Sequence, residues 1–127
     1  MVACALFAFG CSGRNAAFGV VDMKKVEAEA PAVKTIKDDL QKKAKELQEQ
    51  MQKETEGKSR EEAEKIVQDK SAQMQVASSE AQAKLKASLD TALTEVSKEK
   101  NLSAVLIKDA VPSGGVDVTE DVIKKMK

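Results

Sequence analysis

Residues 31–101 read PAVKTIKDDLQKKAKELQEQMQKETEGKSREEAEKIVQDKSAQMQVASSEAQAKLKASLDTALTEVSKEKN, a stretch of roughly seventy residues with a single glycine and no aromatic side chain. In its first part Val33, Ile36, Leu40, Ala44, Leu47 and Met51 recur every three or four positions. In its second part Ala63, Val67, Met74, Ala77, Ala81, Leu85, Leu89, Ala92 and Val96 do the same. That spacing is the period of an amphipathic helix with one apolar stripe. Between the two runs, at Glu56-Gly57-Lys58-Ser59, the pattern loses phase and the helix-breaking glycine stands. Two long helices folded back on each other, with the tip near 56–59, are therefore expected over 31–101.

Working outward, strand-like material flanks this hairpin on both sides. Phe18-Gly19-Val20-Val21-Asp22-Met23 is β-prone, and Lys24 to Ala30 can form a helical turn or two. Pro31 fits the first turn of the long helix, where its missing N–H is no loss. At the far end, Leu102 to Ile107 is an apolar run of strand length, and Pro112-Ser113-Gly114-Gly115 is a turn by composition. Thr119 is the expected N-cap of a last short helix. Glu120 and Asp121 would lie in its first turn and Lys124, Lys125 and Lys127 near its end, as the helix dipole favours. Val118, Val122 and Met126 would share one face, with Ile123 alongside.

A hairpin brings its ends together, so Val20-Val21 is expected to pair with Val105-Leu106. The resulting head, 18–30 with 102–127, has only about forty residues, a size at which a domain seldom stands without metals, disulfides or partners. Oligomerisation is the route this sequence leaves open. The fold class read from these patterns is α+β, a long antiparallel helical hairpin (a coiled-coil arm) projecting from a small β head shared between protomers.

The first seventeen residues read as a leader and spacer. Val2 to Gly10 is an apolar run of nine residues, too short for a bilayer span of about twenty but of signal-peptide length. Gly10-Cys11-Ser12-Gly13 is similar to a bacterial lipoprotein processing site, with Cys11 as the lipid acceptor and a membrane attachment through it. The other reading is an ordinary signal cut near Ala17, with Cys11 discarded. Both place the chain outside the cytoplasm. Cys4 lies within the apolar core of the leader, so no disulfide framework is expected.

Composition excludes more than it assigns. A third of the residues are charged, but 21 Lys and Arg are balanced by 21 Asp and Glu. Nucleic-acid binding, which usually shows as clustered basic charge, is not expected. Lys42, Lys43 and Lys45 form a small basic cluster that could steer acidic partners, yet Asp38, Asp39, Glu46 and Glu49 counter it as on a solvated helix face. With no histidine, no metal-ligand cluster and no glycine-rich phosphate loop, neither catalysis nor a cofactor is expected.

Taken together, the two ends carry a family resemblance. Gly19-Val20-Val21-Asp22-Met23, Val105-Leu106-Ile107 and the terminal Asp117 to Met126, on either side of a helical hairpin, resemble the Skp/OmpH family of periplasmic chaperones. The resemblance implies a homotrimer with a β head built by Val20, Val21, Val105, Leu106 and Ile107 of each protomer. It implies that the hairpins enclose a cavity holding unfolded outer-membrane proteins in the periplasm. Without a nucleotide site, holding and release would be ATP-independent. Met51, Met74 and Val76 are candidate client contacts, because methionine adapts to varied apolar partners. Met51 and Met74 are also in phase with the stripes and could simply fill the seam. The alternative function is a lipid-anchored coiled-coil scaffold or spacer of the envelope, which needs neither a cavity nor a shared head.

Overall fold

A computed structural model describes residues 17–127. In chain order the elements are β1 (Phe18–Val21), α1 (Met23–Glu29), α2 (Pro31–Thr55), α3 (Arg60–Glu99), β2 (Ala104–Ile107), a 3-10 turn (Lys108–Ala110), β3 (Val116–Asp117) and α4 (Thr119–Lys125). The chain is mostly helical, with one small sheet.

Local chemistry sets most of the element boundaries. Asp22 caps α1, its carboxylate accepting the backbone N–H of Lys24 and Lys25 at 3.0 and 3.2 Å. Ala30 closes α1 and opens α2, with Pro31 in the first helical turn. After α2, Gly57 takes a φ of +71°, and Ser59 with Glu62 forms a reciprocal capping box that starts α3. At the far end of α3, Asn101 adopts a left-handed φ of +52°. Leu102 N–H then reaches the Ser97 carbonyl at 2.9 Å and Asn101 N–H that of Lys98 at 3.3 Å, a Schellman closure with asparagine in the place usually held by glycine.

The sheet has the order β2-β1-β3, with both neighbours parallel to β1. Parallel pairing needs a long crossover, and the whole helical stretch between β1 and β2 supplies it. Phe18 is opposite Ala104, Gly19 opposite Val105, Val20 opposite Leu106 and Val21 opposite Ile107. The pairing of β1 with β2 is thus one residue along from Val20-Val21 set against Val105-Leu106. On the other side Gly19 is opposite Val116 and Val20 opposite Asp117. Position 19 is tight: a Cβ there would lie 2.8 Å from a Leu102 methyl and 3.3 Å from both Val105 and Val118, so a larger residue would need those side chains to give.

The core sits where β1, α1, α4 and the near ends of α2 and α3 converge. Val21, Val26, Val33, Ala92, Val96, Val118, Val122, Ile123 and Met126 are all buried in it. A valine fully withdrawn from water, as Val26 and Val96 are, contributes about 1.5–3 kcal/mol. The expected face of the last helix, Val118, Val122 and Met126 with Ile123, is the one that docks.

Thr119 departs from its expected role. It is the first residue of α4 rather than its cap, and Asp117 supplies the acceptor instead, taking the Thr119 N–H at 3.0 Å. The Thr119 hydroxyl donates to the same carboxylate oxygen at 2.6 Å and accepts the Asp22 N–H at 3.0 Å. A buried threonine thereby ties the start of α4 to the junction of β1 and α1.

Candidate functional site

Two regions carry the residues singled out from the sequence: the α2–α3 pair and the open sheet. Lys70, early in α3, reaches Gln50 and Glu54, late in α2, at 3.2 and 2.9 Å. Ile36 and Leu40, early in α2, line a cavity with Ala77 and Ala81 of α3. The stripe along α2 lies as expected, with Val33 and Leu47 buried and Ile36, Leu40, Ala44 and Met51 half-buried. On α3 the stripe differs by one position, since Val67 is 41% exposed while Ile66 is half-buried. Positions 66 and 67 flank the line from Ala63 to Lys70 equally at 3.6 residues per turn, so the facing helix α2 decides which of the two is covered.

Burial along the pair is uneven. Between Leu47 and Ala92 no residue is buried, and the polar Lys70 occupies a seam position with its side chain only 10% exposed. Met51 and Met74 are half-buried in that seam, whereas Val76 is 57% exposed on the outside of α3. Of the three candidate contacts, Val76 alone presents its side chain openly to solvent.

In the head, Val20 and Val21 are buried and Val105 is half-buried. Leu106 and Ile107 on β2 are 44% and 53% exposed, and Val116 on β3 is 45% exposed. Val20 owes its burial to the turn before β3, where Gly114 and Gly115 both have positive φ and Gly115 lies against Phe18 and Val20. Sequence reading missed Val116 as part of this apolar edge. The signal was present in the turn Pro112 to Gly115, which returns the chain to the sheet.

Ion pairs hold the head to the base of α3. Lys125 bonds Glu99 at 2.6 Å and Glu95 at 3.3 Å, and the Glu99 carboxylate chiefly raises the lysine pKa. Lys25 pairs with Glu120 and is raised in the same way. Asp117 is held down at about 2, first by the Thr119 hydroxyl, then by the Thr119 N–H and by Lys108 at 3.0 Å.

Cys11 lies outside the described residues. Among the described residues no group of three His, Cys, Asp or Glu side chains could hold a metal, and no helix is long and apolar enough to cross a membrane. No protein-family model and no curated protein matches the chain.

Proposed function

We propose that the protein is an ATP-independent holding chaperone of the bacterial periplasm, similar to the Skp/OmpH family. Three copies share their β heads, and their antiparallel hairpins surround a cavity for unfolded outer-membrane or envelope proteins. A lipid on Cys11 would tether the assembly to a membrane.

The observation that carries this reading is the apolar edge of the head. Leu106, Ile107 and Val116 lie on the two outer strands of a three-stranded sheet and are each close to half exposed. Outer strands with free backbone groups and apolar side chains invite pairing with another chain, and native proteins usually blunt them with charge or proline. Here β2 is Ala104-Val105-Leu106-Ile107, with neither. A second copy is the economical cover, and it supplies the core that a head of about forty residues lacks.

The arm suits passive holding. At about 1.5 Å per residue α3 is about 60 Å long, enough to stand well clear of the head. Its sparse burial between Leu47 and Ala92 leaves it able to flex, and several weak contacts inside an enclosure add to useful avidity.

Dilution of a denatured β-barrel protein into buffer without nucleotide tests the reading. The expected result is suppressed aggregation at a modest excess of a species three times the chain mass. A protein that suppresses nothing at several-fold excess is no holdase. A stable monomer or dimer would favour the envelope scaffold.

A further inference from the structure

Where the first half of α2 faces the middle of α3, the seam is not filled. Ala77 and Ala81 stand where longer side chains would meet Ile36 and Leu40, leaving an open cavity of about 200 Å³. Those four side chains make an apolar floor. Asp39 and Lys43 of α2 and Glu80 and Lys84 of α3 make the rim. We propose that this groove binds a single aromatic side chain of an unfolded polypeptide. The inference rests on the chaperone reading and gives it a side-chain preference.

Size, charge and extent each restrict the occupant. An apolar cavity of about 150 Å³ is enough for benzene, so this groove has room for one ring and not for a folded segment. Its rim carries two carboxylates and two ammonium groups, which gives no advantage to a ligand of either net charge. Lysines can instead lie over the faces of an inserted ring, whose quadrupole attracts cations, and an aliphatic side chain offers them nothing comparable. Lys43 is partly engaged, 3.3 Å from Glu46, in an exposed pair that breaks at little loss.

The groove is also short. The neighbouring cavity shares Ile36 and Lys84 but is otherwise lined by groups such as Ser88, Thr91, Glu95 and Lys125. A fatty-acyl chain leaving the apolar floor on that side would run onto hydroxyls and charges. Among the described residues no ring occupies the groove: the sequence lacks Trp and Tyr, and the one described aromatic residue, Phe18, lies against Gly115 in the head. One ring in an open groove binds weakly. A client with many rings meeting several copies of the groove gains by effective concentration.

The test uses the full-length assembled protein and a soluble unfolded peptide of alternating Phe and Ser, with a Leu-and-Ser counterpart. The expected result is at least tenfold tighter binding of the Phe peptide, with shifts of the Ala77 and Ala81 methyl resonances. Filling the groove with Ala77→Leu and Ala81→Leu should weaken that binding tenfold or more while the thermal midpoint holds or rises. Lys43→Gln with Lys84→Gln, which leaves the floor intact, should reduce the preference for Phe over Leu. Undiminished binding by the filled variant overturns the groove, as does equal binding of both peptides or a preference for a short-chain phosphocholine monomer. If the wild-type protein still holds a denatured β-barrel client in that case, only this inference falls. If it holds neither client nor peptide, the chaperone reading falls with it.

Discussion

Asp117 shows how a single residue near the end of the chain came to matter. Its carboxylate accepts from the Thr119 hydroxyl and N–H and from Lys108, which keeps its pKa at about 2. A folded-state pKa below the ordinary carboxylate value stabilises the fold above that ordinary value, and the contribution fades as pH falls through about 2. Because half of the side chain faces water, the effect should be on the order of 1 kcal/mol rather than the full linkage value. Asp117→Asn is therefore expected to lower the urea midpoint at pH 5 and to match the wild type near pH 2. Equal midpoints at pH 5 would mean that the network contributes nothing. Thr119 was readable as a helix-start residue because its type and the following acids are local signals. Its bond to Asp22 was not readable, since the two stand 97 positions apart and meet only through the fold.

At the level of elements, the helices were legible because their period is written in every turn. The apolar run at 102–107 was legible by its length, and Ala104–Ile107 is a strand. The shift from Val67 to Ile66 shows the limit: where alanines and a lysine dilute the stripe, phase is set by the partner helix and not by composition. Lys70 is the clearest case. Its side chain is nine-tenths shielded between Gln50 and Glu54, and desolvation offsets much of such a pair's attraction. Lys70→Met keeps the length of the side chain and removes the charge, while half-exposed Glu54 can return to water. The variant is expected to unfold at a temperature a few degrees higher, corresponding to about 1 kcal/mol. A lower midpoint in a thermal scan would show that the bridge is a net stabiliser of the α2–α3 pair.

For the whole molecule the decisive question is what covers the sheet. Ile107 is more than half exposed at the edge of β2, so an acidic group there should leave a single chain folded. If the heads are shared, Ile107→Glu places a charge in an apolar interface and should reduce the assembled mass to that of one chain. Circular dichroism should be unchanged. Sedimentation of the variant as the same assembly as the wild type would show that β2 does not lie between copies. On the proposed chaperone reading, the variant's suppression of aggregation should fall with the mass.

Periodicity, caps and breakers are properties of neighbours along the chain, so the two long helices, the break at Gly57 and the apolar runs at either end could be read from the order of residues alone. Which strand became the centre of the sheet could not, because β1 acquires partners from 104–107 and 116–117 only after the helices have carried the chain away and back. The empty space beside Ala77 and Ala81 is of the same kind. A small side chain is only a small side chain until the fold decides what stands opposite it, and here Ile36 and Leu40 do not reach far enough to fill the gap.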